Sequence, residues 1–465
     1  MSAVALPALR SVNPTSGEVV ADYPQHEDAS IDRAVRRSDS CFAQWRRTRF
    51  DRRGELLSEV ALELERRRDA LAALMATEMG KPLADGRAEV DKCASACRYY
   101  AAEGAEQLAD RHVSTERRRS FVHHEPLGVV LAIMPWNFPL WQVFRFAAPA
   151  VMAGNTGLLK HASNVSGCAL AIEEVFLAAG APEGLFQTVL ASGDRVLTVI
   201  DHDLVRAVTL TGSTDAGRAV AARAGAGLKK TVLELGGSDA YVVLADADLD
   251  LAAEVCARSR LLNSGQSCIS AKRFIVEERV HDDFVERFSA ALGAATLGDP
   301  FDAATSMGPL ARRDLRDDVH DQVLRSVGQG ATLRLGGELV GELGEGPGAF
   351  YPPTLLCGVE AGMAAFDEEV FGPVAAVIAA RDEADAVRRA NDSVFGLGAA
   401  VFTTDLERGE RIAAYELDAG CCFVNALVAS DARLPFGGIK NSGYGRELAE
   451  LGIRSFINEK TVVVA

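Results

Sequence analysis

Several things are missing from this chain of 465 residues, and each absence narrows what it can be. No run of about 18 uninterrupted apolar residues occurs, so no membrane-spanning helix is expected. Met1 to Val12 carries one basic residue and no long apolar core ahead of a cleavage signal, so a secretory leader is not expected either. Basic residues are the minority charge, 49 Lys and Arg against 65 Asp and Glu, and the formal net charge of -16 argues against a nucleic-acid partner, whose phosphates would be repelled. The one basic run, Arg117-Arg118-Arg119, is short enough for a solvated loop or hairpin edge. The acidic balance leaves the substrate open, because one pocket arginine outweighs a distant negative surface. Zinc-like cysteine spacing is absent among the nine cysteines. Cys93 and Cys97 lie one helical turn apart and Cys421 and Cys422 are adjacent, so free thiols in a reducing cytoplasm, and no metal, are expected. Solenoid repeats and low-complexity linkers are lacking as well.

What is present begins with size. The length predicts two or three domains, and 48% apolar with 25% charged residues is a globular composition. The first hundred residues read as helical. Leu56, Leu57, Val60 and Leu64 recur at three- and four-residue steps, and Gly80-Lys81-Pro82 is a stop signal after Leu71, Leu74 and Met75. From Leu127 the pattern changes. Gly128 to Met134 is a continuous apolar run ended by Pro135-Trp136-Asn137-Phe138-Pro139, which predicts a strand buried on both faces. Thr156 to Lys160, Phe186 to Leu190, Val205 to Leu210, Thr231 to Leu235 and Tyr241 to Leu244 are further strands with helical stretches between several of them, so the expected class is α/β with a mostly parallel sheet. After Asp248 the pattern restarts with a helix over Leu249 to Leu262 and strands at Arg273 to Val276, Val374 to Ala379, Gly398 to Thr403 and Cys421 to Asn425. A second α/β domain follows, with its boundary near Gly236-Gly237.

Four segments carry candidate chemistry. In Asn263-Ser264-Gly265-Gln266-Ser267-Cys268 a helix ends, a glycine permits a tight turn and a thiol follows, a good way to present a nucleophile to a cleft; a buried structural thiol is the ordinary alternative. In Leu233-Glu234-Leu235-Gly236-Gly237 a carboxylate precedes two glycines that allow close backbone approach, which suits a general base; an exposed strand glutamate is the alternative. Asn137 follows a buried strand, where ligands bind in α/β sheets and where an amide can donate to an oxyanion, though turn asparagines are common. Thr209-Leu210-Thr211-Gly212-Ser213 leads into a helix near Asp215 and makes a possible phosphate cradle. The spacing from Gly212 to Gly217 is not that of the usual dinucleotide fingerprint.

Taken together and in this order, these segments resemble the aldehyde dehydrogenase superfamily. The resemblance runs nearly end to end, through Asn13-Pro14, Gly17-Glu18, Pro135 to Pro139, Gly212-Ser213, Glu234 to Gly237, Gly265 to Cys268, Glu368-Glu369-Val370-Phe371-Gly372-Pro373, Pro435 to Gly438 and Ser442 to Glu447. Leu159 to Val165, Leu235 to Asp239 and Ala271 to Ile275 resemble most the bacterial succinate-semialdehyde dehydrogenases that use NAD(P)+.

The resemblance implies a Rossmann-type cofactor domain (1–109 and 125–236), an α/β catalytic domain (237–440) and a small β oligomerisation arm (110–124 and 454–465). Unpaired edge strands in such an arm imply a homodimer or homotetramer. It further implies that Cys268 is the nucleophile, that the Asn137 side chain and the Cys268 N–H stabilise the oxyanion, and that Glu234 activates the hydrolytic water. For the cofactor, NADP or NAD, it implies contacts from Trp136, Lys160, Ser163, Gly212, Ser213, Leu235, Gly236, Glu369 and Phe371. NAD-selective relatives commonly carry a glutamate three residues after the lysine; Ser163 is neutral, so use of NADP+ is expected. Arg145 is expected to hold the carboxylate of a short ω-carboxy aldehyde, with Ser430 as a further donor. A second arginine common in such enzymes is replaced by Leu262. Two alternatives remain at this level: another aliphatic or amino aldehyde, and a non-catalytic structural protein of the same fold.

Overall fold

A computed structural model describes residues 6–339 and 346–465. Its framework is two large, mainly parallel sheets. The six-stranded sheet runs in the order Gly443–Tyr444, Lys230–Glu234, Val205–Thr211, Val129–Met134, Thr156–His161, Phe186–Thr188, parallel except for the short Gly443–Tyr444 edge. The chain starts at the inner strand Val129–Met134, winds outward through Thr156–His161 and Phe186–Thr188, then returns to add Val205–Thr211 on the other side. The strand order therefore reverses beside Val129–Met134, and the carboxyl ends of that strand and of Val205–Thr211 open onto the crevice where doubly wound sheets take ligands.

Why Gly128 to Met134 is apolar throughout is plain from the packing. Val130, Ala132 and Met134 join one core with Leu57, Val60 and Val143, while Val129, Leu131 and Ile133 join another with Val35, Val196 and Val208. Alternate side chains of one strand thus fill two different cores. The first core is covered by helices Asp28–Trp45, Phe50–Arg66, Arg68–Met79 and Leu83–Gln107 and by the wholly buried helix Trp141–Ala153. Gly80, left-handed at φ 78°, ends the third of these, as its position before Lys81-Pro82 predicts.

The second large sheet is ordered Thr332–Leu335, Thr354–Cys357, Val374–Ala380, Arg273–Glu277, Ala240–Val243, Gly398–Phe402, Cys421–Val424, and only its first strand is antiparallel. The chain crosses from one sheet to the other between Glu234 and Ala240. A third sheet pairs Arg111–Val113 and Ile457–Val464 with the two edges of Arg119–Pro126, all antiparallel.

The strands read from the sequence in both large sheets are present, with ends within one or two residues. The helical reading of the first hundred residues needs correcting at its start. Leu9–Val12 and Val19–Tyr23 form an antiparallel hairpin. Its turn is closed by the Asn13 side chain, which accepts from the Thr15 N–H at 2.8 Å, and by the Gly17 N–H donating to the Asn13 carbonyl at 2.7 Å. An asparagine that bonds its own backbone two residues on favours a turn over a helix. Strands Thr332–Leu335 and Thr354–Cys357 were also unread. The first is a short edge strand of alternating exposed residues, so it lacks the continuous apolar run that marks its buried neighbours.

Candidate active site

The cysteine loop is built from backbone conformations that few residues adopt. Helix Leu249–Leu261 ends, and Asn263, Ser264 and Gly265 all turn left-handed, at φ 53°, 57° and 75°. A Cβ at Gly265 would collide with the backbone of Gly372 and Pro373, so only glycine fits there. Asn263 tolerates the conformation better than most residues and uses its amide, donating to the Asn137 carbonyl at 2.8 Å and to the Gln266 carbonyl at 3.1 Å. Buried Arg260 donates to the Gly265 carbonyl at 2.5 Å. On the far side, buried Lys272 donates to the carbonyls of Ser267, Cys268 and Ser270 at 2.9–3.1 Å. Cys268 is thereby held at both flanks. Burial pushes its thiol up to about 12, against the opposing influence of Arg145 and Lys272.

Asn137 is fixed to this loop. Its Nδ2 donates to the Gln266 carbonyl at 3.0 Å, which leaves one amide hydrogen to spare. Leu140 and Trp141 open the helix behind it, and the Glu89 carboxylate accepts their N–H groups at 2.8 and 2.9 Å. Glu89 is itself ion-paired with buried Lys81. The two glycines after Glu234 are explained by their neighbours. A Cβ on Gly236 would strike the Glu369 carboxylate, and one on Gly237 would come within 2.7 Å of the Cys268 carbonyl. The Gly237 N–H donates to Glu369 at 3.0 Å. One glycine pair therefore lets a strand end, a carboxylate and the cysteine loop pack together.

Glu234 is the last residue of its strand and is buried. Neither of its carboxylate oxygens has a hydrogen-bond partner among the described residues. Burial, with nearby Glu447 adding to it, holds its carboxyl well above the usual carboxylate range; Arg145 and Arg446 act in the opposite sense. Glu447 is buried too, and Arg145 Nε stands 2.6 Å from its Oε2. The approach is short without the alignment of a good hydrogen bond, so the attraction is mainly coulombic. The Arg145 guanidinium also stacks 4.7 Å from the Phe436 ring centre. Arg145 thus pairs with Glu447 and acts on Glu234 through its charge without contact.

Two cavities meet at Cys268. One, of about 720 Å³, opens at the crevice of the six-stranded sheet and brings together Trp136, Asn137, Gly212, Ser213, Leu235, Gly236, Glu369 and Phe371 with Cys268. Ser213 caps helix Thr214–Ala226, accepting from the Ala216 N–H at 3.3 Å, so that helix points its amino end into the crevice. Trp136 and Phe371 meet edge to face at 5.7 Å. The other cavity, of about 820 Å³, is lined by Cys268 together with Arg145, Ser430, Leu262, Trp141 and Lys92. Ser430 Oγ accepts from Trp141 Nε1 at 3.1 Å and from Lys92 Nζ at 2.9 Å.

Three of the expected residues do not line either cavity. The Glu234 carboxylate lies back in its cluster with Glu447 and Arg145. Lys160, next to last in its strand, is buried with no side-chain hydrogen bond or ion pair among the described residues, and Ser163 begins a short 3-10 turn just beyond. Sequence reasoning gave no role to Lys272, Glu447, Glu89 or Lys92. For Glu447 and Lys272 the clue was their place inside segments already singled out, Ser442 to Glu447 and Ala271 to Ile275. Glu89 and Lys92 sit in an ordinary-looking helix, and nothing local marks them.

An α/β fold that places a thiol at the junction of a nucleotide-type crevice and a separate pocket is the framework of an NAD(P)-dependent enzyme. The chain belongs to the aldehyde dehydrogenase family, whose sequence model matches residues 3–462. It is 47% identical to a probable succinate-semialdehyde dehydrogenase [NADP(+)] of Synechocystis sp., over 98% of this chain and 100% of the relative. Identity is also 47% with a succinate semialdehyde dehydrogenase [NAD(P)+] of Escherichia coli, over 97% of both chains. Among solved structures, the succinic semialdehyde dehydrogenase of Streptococcus pyogenes in complex with NADP+ superposes with a TM-score of 0.95 at 38% identity, covering 98% of this chain and 100% of that one.

Proposed function

We propose that the protein oxidises succinate semialdehyde, or a closely similar short ω-carboxy aldehyde, to the acid with NADP+ or NAD+. The observation that carries this reading is the position of Cys268, shared by a nucleotide-type crevice and by a second cavity that carries cationic groups. The names of the similar proteins point the same way.

The residues of the crevice fit a dinucleotide. A helix amino end at Ser213 suits its phosphates and Glu369 a ribose hydroxyl pair, while Lys160, outside the crevice lining and without a side-chain partner among the described residues, would reach the adenosine ribose or its phosphate. The cradle is closed on the side of Gly236, where any side chain would displace Glu369. Ser163 supplies no carboxylate to repel a 2′-phosphate, which favours NADP+. When bound, the cofactor accepts the hydride that leaves the substrate carbon.

The chain's own residues do the rest. Cys268 sulfur adds to the aldehyde carbon as its proton passes to a base. The spare Asn137 amide hydrogen and the Cys268 N–H then receive the oxyanion. After hydride loss an acyl group remains on Cys268 as a thioester. Glu234, whose carboxyl burial holds well above the usual carboxylate range, takes a proton from water, whose oxygen attacks the thioester and releases the acid and the thiol. No hydrogen bond holds the Glu234 carboxylate in its cluster, so turning toward the thiol breaks none.

The division into a cofactor part (1–109 and 125–236), a catalytic part (237–440) and an arm (110–124 and 454–465) follows the same reading and is supported by the sheet that joins Arg119–Pro126 to Ile457–Val464. Exposed Val113, Val463 and Val464 on that sheet support assembly into a dimer or tetramer. All nine cysteines are free, which suits a reducing cytoplasm.

The test is reduced-cofactor absorbance with a panel of aldehydes and each nucleotide, on the wild type, Cys268→Ala and Glu234→Gln. Cys268→Ala should lose all oxidation and still bind the nucleotide. Glu234→Gln should give an initial burst and then stall. Turnover by Cys268→Ala, or no preference for succinate semialdehyde over butanal in the wild type, overturns the reading.

A further inference from the structure

Lys272 places a buried charge among neutral acceptors. Its three ammonium hydrogens go to the carbonyls of Ser267 at 3.1 Å, Cys268 at 2.9 Å and Ser270 at 3.1 Å. Among the described residues the one carboxylate in ion-pairing range is Glu369, at 3.9 Å, too far for a hydrogen bond. Neutral donors could satisfy three carbonyls without the desolvation cost of a buried cation. What a cation adds is polarisation of the peptide groups it touches, since its hydrogen bonds are charge-assisted and bonds in series strengthen one another.

Two of those peptide groups flank Cys268. The Ser267 carbonyl shares a peptide with the Cys268 N–H, and the Cys268 carbonyl belongs to the next peptide along. In a planar trans peptide the C=O and the N–H point in opposite directions. Holding the Ser267 oxygen against Lys272 therefore turns the Cys268 N–H away from it. That N–H donates to no carbonyl among the described residues, which leaves it for a ligand. The preceding carbonyl, of Gln266, is held by Asn137 Nδ2 at 3.0 Å and Asn263 Nδ2 at 3.1 Å. Three successive peptides are thus fixed, two of them by one ammonium. Lys272 has an anchor of its own. Its N–H donates to the Asp239 carbonyl and its carbonyl accepts from the Ala376 N–H, both at 3.0 Å, at the entry to Arg273–Glu277, the middle strand of the seven-stranded sheet.

We propose that Lys272 is a positioning residue for the reacting oxygen: its ammonium turns and polarises the Ser267–Cys268 peptide so that the Cys268 N–H donates to the oxyanion formed at the thiol. The proposal rests on the reading of Cys268 as the nucleophile and deepens it. The same charge works with Arg145 against the rise that burial imposes on the thiol, while Glu369 and Asp239 add to that rise.

The experiment compares two reactions of the Cys268 sulfur in the full-length protein. With iodoacetamide the sulfur displaces iodide at a saturated carbon and no oxyanion forms. With p-nitrophenyl acetate it adds to a carbonyl, passes through an oxyanion and expels p-nitrophenolate, leaving an acetyl thioester. Both need the same thiolate, so the ratio of their second-order rate constants at one pH cancels the thiol's ionisation and reads the oxyanion site. Alkylation is followed on the Cys268 peptide by mass spectrometry, and p-nitrophenolate release is corrected with Cys268→Ala. In Lys272→Met the ratio of acylation to alkylation should fall by about tenfold or more. In Lys272→Gln, which keeps donors but not the charge, it should fall by a smaller factor, and this variant carries the comparison if Lys272→Met does not fold. A merely structural lysine would change both rates together, and a ratio equal to that of the wild type overturns the proposal while leaving Cys268 as the nucleophile. Wild-type p-nitrophenolate release no faster than that of Cys268→Ala overturns the nucleophile reading itself, and the proposal with it.

Discussion

Removing Arg145 should damage more than substrate recognition, and the size of the damage follows from its surroundings. The guanidinium is buried, 2.6 Å from a buried Glu447 and stacked on Phe436. In Arg145→Met, Glu447 loses its buried partner and Glu234 the nearby positive charge that opposes its neighbour. Breaking a buried pair from one side costs about 3–5 kcal/mol of stability. The stacking on Phe436 adds up to about 2 kcal/mol when desolvated. Part of this is relieved when one carboxyl takes up a proton. Glu447→Gln orphans the arginine in turn, whereas Arg145→Met combined with Glu447→Gln leaves no uncompensated charge on this pair. Urea denaturation of the four proteins gives the coupling, which should reach about 2 kcal/mol or more. Activity should fall for succinate semialdehyde and for butanal alike, because Glu234 is perturbed for every substrate. Additive stability changes would refute the argument, and so would a loss confined to the carboxylated aldehyde.

The same cluster fixes a pH dependence. On the proposed reading Glu234 must be ionised to act as a base, and burial holds its carboxyl well above the usual range, so deacylation should be lost as pH falls through that raised value. Glu447→Gln removes one cause of the rise and frees Arg145 to act on Glu234, so the acid limb of the kcat profile should move to lower pH; a limb that stays put or moves up contradicts the assignment. Lys81→Met should leave the Glu89 carboxylate buried without its cation and lower stability by about 3–5 kcal/mol in urea denaturation. An unchanged midpoint would mean that the Leu140 and Trp141 N–H groups alone satisfy Glu89.

Much of this architecture is legible in the sequence because its causes are local. The strand Val129–Met134 announces itself by an apolar run that serves two cores, and the cysteine turn by a glycine that no side chain can replace. The first hairpin is masked by a helical expectation that rests on the periodicity of Leu56 to Leu64, although Asn13 and Gly17 are turn residues. What stays hidden is set by distant partners. Arg145 reads as a pocket arginine until Glu447, some three hundred positions away, is found against it. Nothing in the sequence marks Lys92; only the fold brings Trp141 and Ser430 against it. The left-handed Asn263 and Ser264 were equally unreadable, since neither residue demands that conformation.

The position of Cys268 between two cavities has a consequence for traffic through the enzyme. On the proposed reading, a thiol lined on one side by the nucleotide crevice and on the other by a separate pocket would let each partner approach from its own cavity. On the same reading the acid would leave through the pocket while the nucleotide stays seated, and a spent nucleotide would be exchanged while an acyl group still occupies the thiol. The two molecules compete for one atom's attention without competing for a path. An inhibitor that reaches Cys268 from the pocket side should therefore bind as well to the nucleotide-loaded protein as to the free one, and one long enough to cross past the sulfur should exclude both partners at once.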